Sequence, residues 1–189
     1  MARMRNANSV RKMKPIILVL CEGETEECYV EFLKRRYRLP IKIVSKVVGQ
    51  KINERLISRI LNELKLNASE RIACFLMYDA DVPAVVKNIQ SCKNAIALFS
   101  RPCLEVWFFA HSDLVFGTVF SSVDCLRKLK NVPAWKDYRK GFLTAVQQEL
   151  LWQNRHTAAK NISNSPSEQC AFSMVGDFIE KLESVGKQI

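Results

Sequence analysis

Histidine is scarce in this chain: its 189 residues hold only His111 and His156. The seven cysteines (Cys21, Cys28, Cys74, Cys92, Cys103, Cys125 and Cys170) are odd in number, never form a Cys-x-x-Cys pair, and fall partly in apolar runs. A Cys/His zinc site therefore lacks ligands and a disulfide framework lacks pairs. The thiols read as reduced and mostly buried, as expected of a cytoplasmic protein. No apolar run approaches the roughly 20 residues of a membrane span, so no membrane role is expected. The basic start followed by Pro15 to Cys21 mimics a leader. That run is short, however, lacks a small residue before Cys21 and passes straight into acids, which speaks against export. Acidic residues are also in deficit, 19 against 29 Lys and Arg, giving a formal charge of +10. Such a surplus favours a polyanionic partner, nucleic acid being the commonest, although it also fits plain solubility.

What is present alternates strands with helices. Pro15 to Cys21 is apolar and rich in β-branched residues, stops at Glu22-Gly23, and is followed at once by acids. It reads as a buried strand, a tight turn at Gly23, and a helix over Glu24 to Tyr37. That helix is acidic in its first turn and basic at its end, as the macrodipole favours. Ile41 to Val48 alternates as a strand, and Asn53 to Leu66 carries Leu56, Ile57, Ile60, Leu61 and Leu64 at helical spacing. Arg71 to Tyr78 is a third strand, hydrophobic almost throughout, as when both faces are covered. A helix over Val82 to Cys92, with Pro83 in its first turn, and a strand over Asn94 to Ser100 complete the series. The β-α-β-α-β-α-β order predicts an α/β, Rossmann-like fold: a parallel sheet of about four strands with helices on both faces. Arg101 to His111 reads as an apolar helix, and Ser121 to Lys130, Gly141 to Asn154 and Cys170 to Ser184 as further helices. The expected organisation is a basic arm over 1–14, an α/β core over 15–111, and a mainly helical C-terminal part over 112–189 packed on that core.

Glu22 falls at the carboxyl lip of the first strand, where open α/β sheets place their chemistry. Asp79 and Asp81 end the third strand. Residues i and i+2 of an extended chain point to one side, and adjacent strands lie about 4.8 Å apart. The three carboxylates can then share one Mg²⁺ or Mn²⁺, hard cations that take oxygen ligands. A metal there can polarise a phosphoryl oxygen and activate water. The plainer reading makes Asp79 and Asp81 turn and cap residues and Glu22 a loop acid. The Asp-x-Asp pair alone is a weak signal; the combination, in this order and context, is a stronger one.

Three stretches carry a family likeness. Cys21-Glu22-Gly23-Glu24-Thr25-Glu26, Asp79-Ala80-Asp81, and Arg101-Pro102-Cys103-Leu104-Glu105-Val106-Trp107 through His111 resemble the signatures of the RloB-like family. The resemblance covers most of residues 15 to 111 and extends weakly to Asn164-Ser165-Pro166-Ser167, which is similar to an Asn-Pro-Ser-Thr loop of that family. Two departures are visible: Arg101 stands where the family usually has asparagine, and the late loop carries an extra residue and Glu168. The resemblance implies a TOPRIM-like, metal-dependent domain from a phage-defence or abortive-infection setting, with an ATPase of the AAA or ABC type as partner. It carries Glu22, Asp79 and Asp81 over as metal ligands or general base, and Glu105 as a pattern residue of unassigned role. By itself, Glu105 reads either as dipole compensation or as an acid reaching the metal cluster or fixing Arg101. His111 reads as a packed or capping residue, and Trp107, Phe108 and Phe109 as core.

The C-terminal half is basic, with Trp135, Tyr138 and Trp152 interleaved. Trp152 reads as core, whereas Trp135-Lys136-Asp137-Tyr138-Arg139-Lys140 reads as a surface that grips phosphates and stacks bases. Lys51, Arg101, Lys136, Arg139 and Lys140 are the candidate nucleic-acid contacts. The expected function is Mg²⁺-dependent hydrolysis of nucleic-acid phosphodiesters, catalysed through Glu22, Asp79, Asp81 and Glu105. Two alternatives stand beside it: a non-catalytic nucleic-acid or partner-binding subunit, and a toxin cleaving RNA such as tRNA. DNA against RNA, and a monomer against a homo-oligomer, stay open.

Overall fold

The computed structural model describes residues 16–64, 72–118 and 121–187. The basic arm over 1–14 lies outside the described residues, as do Pro15, Lys65, Leu66 and Arg71 at the ends of expected elements. Four strands, β1 (Ile16–Cys21), β2 (Lys42–Val47), β3 (Ile72–Asp79) and β4 (Ile96–Arg101), alternate with α1 (Glu24–Tyr37), α2 (Glu54–Glu63) and α3 (Pro83–Gln90). They pair in parallel, and a two-residue β5 (Phe172–Ser173) joins β4 antiparallel, giving the order β2-β1-β3-β4-β5. The fold is thus α/β and Rossmann-like, with the fifth strand supplied from the far end of the chain.

The strand pattern explains the layering. β1 is buried at all six positions because helices cover both faces of the sheet. Ile17, Val19 and Cys21 face one cluster with Phe75 and Met77; Leu18 and Leu20 face the other with Cys74, Leu76 and Tyr78. The second cluster is closed by Ile57 and Ile60 of α2 and by Val85 and Ile89 of α3. The first is far larger and takes in α1 together with the helices after β4: α4 (Glu105–Ala110), α5 (Ser122–Asn131), α6 (Ala145–Gln153), α7 (Arg155–Asn161) and α8 (Val175–Lys187). Phe178 of α8 packs edge-on to Phe75 of β3 at 5.0 Å. Residues after 111 therefore share the core that α1 and β3 build.

Three expected elements start elsewhere, the helix expected from Gly141 beginning only at Ala145 as α6. Arg101 continues β4, held in the ladder opposite Phe172, so the apolar helix begins only at Glu105. Cys170 to Met174 likewise contains β5 before α8 begins. Among the described residues no helix is long and apolar enough to cross a membrane.

Candidate metal and carboxylate site

The parallel register brings β1 and β3 to the same edge: Cys21 pairs with Met77, and the Glu22 amide donates to the Met77 carbonyl at 3.1 Å. One residue on, Glu22 Oε2 accepts from the Asp79 amide at 3.1 Å and Oε1 accepts from Gln50 Nε2 at 2.9 Å. Glu22 and Asp79 are thus neighbours at the carboxyl end of the sheet. Gln50, in the loop after β2, fixes the glutamate's orientation.

Asp79 follows Phe75 and Met77 on the face that α1 and α4 cover. Both helices bring acids there. Glu26, in the first turn of α1, is buried and accepts from the Gly23 amide at 2.9 Å. Gly23 itself has φ −143°, open to any residue, so the expected tight turn is an extended cap. What a side chain would meet there is Glu26 Oε2, at 3.3 Å from its Cβ. Glu105 opens α4 and is only 1% exposed. Asp79 Oδ1 accepts from the Leu104 amide, just before α4, at 2.9 Å.

Burial, then the charges of Glu26, Glu105, Glu22 and Asp81, push the Asp79 carboxyl up to about 9. Burial first, and then Glu105 and Glu22, also raise Glu26 against its backbone hydrogen bonds. Acids crowd this point, and among the described residues Lys140 forms an ion pair with one of them. Lys140 Nζ lies 3.5 Å from Glu105 Oε1, and Tyr138 donates its hydroxyl to the same oxygen at 3.0 Å. Partial burial works against the Lys140 charge, yet Glu105 above all lifts its pKa over the ordinary lysine value.

Lys140 arrives on a short hairpin closed by the Arg139–Phe142 bridge. Gly141 makes the hairpin fit: its φ is +72°, and an added Cβ would stand 3.2 Å from Glu24 Cβ and Oε2. Its amide donates to Thr25 Oγ1 at 3.2 Å, so the hairpin is docked on the first turn of α1.

Asp81 departs from expectation. β3 ends at Asp79 and the chain bends at Ala80, whose amide donates to the Ser100 carbonyl at 2.8 Å. The extended course expected through Ala80 stops there; Asp81 is exposed, yet its charge still helps to raise Asp79. Among the described residues no three acidic, His or Cys side chains enclose a common point as they stand. The donor set still suits a hard cation. Mg²⁺ keeps several waters and uses one or two carboxylates plus substrate phosphate. Glu22 and Asp79 supply these two, and a cation would relieve the crowding that holds a proton on Asp79.

The candidate nucleic-acid residues spread around this edge. Lys51 is exposed next to Gln50 and lines a depression of about 310 Å³ with Arg55 and Arg59 of α2. Arg101 is committed differently: its two terminal nitrogens donate to the carbonyls of Ala80 (2.8 Å) and Glu168 (3.0 Å). Lys136 and Arg139 are exposed. The aromatic residues beside them are not available for stacking. Trp135 is fully buried and stacks on Phe108 at 5.3 Å, and Tyr138 is 4% exposed. Trp152 is half-buried, with the Arg155 guanidinium 4.2 Å above its ring. His111 is buried against the Trp107 carbonyl (2.8 Å), and Trp107, Phe108 and Phe109 are core.

Sequence reasoning passed over Glu26 and Gln50, and read Tyr138 as part of a base-stacking surface where the structure makes it a donor to Glu105. The Gly23-x-x-Glu26 spacing was the available signal for the first, since Glu at the third helical position reaches back to cap. Gln50 has no local signal, and none marks Tyr138 as facing inward; only the fold brings them here.

A family model described as RloB-like protein matches residues 17–182. No curated protein and no solved structure matches the chain.

Proposed function

The chain belongs to the RloB-like family, and we propose that it is a metal-dependent nuclease that hydrolyses nucleic-acid phosphodiesters. The observation carrying this reading is the meeting of Glu22 and Asp79 at the carboxyl end of adjacent parallel strands, with Glu26 and Glu105 crowded behind them. Fixed acids that cannot all ionise comfortably favour a bound cation. Glu22 and Asp79 would hold Mg²⁺ or Mn²⁺, with Asp81 at the exposed lip within reach of incoming substrate. The cation would supply Lewis-acid polarisation of the phosphoryl oxygen and a more acidic water.

The chain's own groups do the rest. Gln50 holds one Glu22 oxygen, leaving the glutamate oriented to accept a proton from water. The Leu104 amide fixes Asp79 Oδ1. Glu105 and Tyr138 position Lys140, whose charge can meet a phosphate at the mouth of the site. Lys51, next to the Gln50 that holds Glu22, would begin a basic track with Arg55 and Arg59 for the flanking backbone. A defence setting and an ATPase partner rest on family resemblance alone.

The test incubates the full chain with labelled plasmid, single-stranded DNA and bulk tRNA in Mg²⁺ or Mn²⁺, with and without a candidate ATPase. The proposal expects metal-dependent cutting that Asp79→Ala abolishes and Glu22→Gln slows by about 10²–10⁴-fold, the usual contribution of a positioned base. Binding without cutting, unaffected by either substitution or by the ATPase, would instead make the protein a non-catalytic binding subunit.

A further inference from the structure

Beside Asp81 the surface opens into a groove that the carboxylate site does not use. Its larger part, about 410 Å³, lies between α3 and the segment around Pro166. Buried Phe99 and Phe172 floor it, and Val86, Lys87, Gln90 and Pro166 form its sides. Its smaller part, about 230 Å³, is lined by Asp81. Arg101 and Glu168 line both, so the two cavities adjoin along one groove whose smaller part reaches Asp81.

The sequence prepares this groove. Pro83, Val86, Lys87 and Gln90 repeat at i, i+3, i+4 and i+7, a stripe that faces the cavity while Val85 and Ile89 of the same helix face the core. Across from it, Arg101 bridges the Ala80 and Glu168 carbonyls, tying the 166–168 segment to the end of β3. The Ser167 hydroxyl accepts from the Gln169 and Cys170 amides, both at 3.1 Å, which shapes that turn. Pro166 and Ser167 belong to the late loop whose likeness to the family pattern had no assigned purpose.

We infer that the larger cavity receives an unpaired nucleobase of the strand being cut, making single-stranded or locally unpaired nucleic acid the substrate class. The inference rests on the nuclease reading and sharpens it. Apolar walls with a few donors at the rim are what a nucleobase needs: a surface for its π-face and Lys and Gln groups for its polar edge. The volume falls in the range of single-ligand pockets and admits one base, whereas a base inside a duplex cannot enter without leaving the stack. Asp81 lines the smaller part of the groove, just past the bend that follows Asp79.

The experiment measures anisotropy of short labelled DNA and RNA strands, single and duplex, on the full chain carrying Asp79→Asn to prevent turnover. Single strands should bind at least about tenfold tighter than the duplex of the same sequence. Val86→Trp, which fills the cavity, should abolish that preference, and Pro166→Trp on the exposed side gives the same readout should the first variant fail to fold. Comparing the DNA and RNA arms identifies the sugar. Equal affinity for single strand and duplex, or a preference that survives both substitutions, overturns the inference. Cutting by the wild type without strand preference defeats the pocket and leaves the nuclease standing; cavity-dependent binding without cutting does the reverse.

Discussion

Asp79 ends β3 with one oxygen on the Leu104 amide and four other acids near enough to raise its pKa. The folded carboxyl keeps its proton from its ordinary 3.8 up to about 9, while the unfolded one has lost it. The folded state binds more protons across that window, so metal-free stability falls as pH rises through it. Asp79→Asn keeps an oxygen acceptor for Leu104 and removes the ionisable group. Chemical denaturation should show that fall in the wild type and a flatter profile in the variant. A cation needs the ionised carboxylate, so Mn²⁺ should stabilise the wild type increasingly toward alkaline pH and leave the variant unmoved; equal Mn²⁺ stabilisation of both would remove Asp79 from the ligand set. His111 works in the opposite sense. Burial lowers it from 6.5 to about 4, against the Trp107 carbonyl. Between those values the unfolded state binds the extra proton, so stability is lost as pH falls through them, on the order of 3 kcal/mol by the acid end. A His111→Asn protein should lack this acid limb in urea titrations; an unchanged limb would point to other groups.

At the scale of elements, the hairpin that carries Lys140 decides how the site is finished. Gly141 holds φ +72° against Glu24, so Gly141→Ala strains the turn and crowds α1 together. The expected cost is on the order of 1–3 kcal/mol, read as a lowered denaturation midpoint, with Lys140 displaced from Glu105. Tyr138→Phe removes one donor from a buried carboxylate and should cost about 1–3 kcal/mol; a variant as stable as the wild type would mean that Lys140 alone satisfies Glu105. The segment from Trp135 to Lys140 shows what local sequence conceals. Aromatic residues among lysines look like a stacking surface, but Trp135 and Tyr138 turn inward to Phe108 and Glu105, leaving the cations outside. By contrast, α1 was legible end to end, because its first-turn acids, inward stripe and terminal bases all agree.

Across the whole molecule, β5 and α8 complete a sheet and core begun by β1, with Ser173 on Ser100 and Phe178 on Phe75. The full chain should therefore unfold in a single transition, seen alike by far-ultraviolet circular dichroism and tryptophan fluorescence. Two separated transitions would show that residues after 111 fold as a unit of their own. By itself the sequence determined the alternation of strands and helices, the parallel sheet that follows from it, and the placing of Glu22 and Asp79 at strand ends. Those are consequences of local periodicity and of the right-handed crossover, which short segments encode. Tertiary structure alone decided that the sheet gains an antiparallel strand from residues 172–173, and that the chain bends at Ala80 and leaves Asp81 exposed. It also decided that Gln50, Tyr138 and Lys140 close around the acids. Each depends on partners far away in sequence, whose pairing energy no local pattern reports.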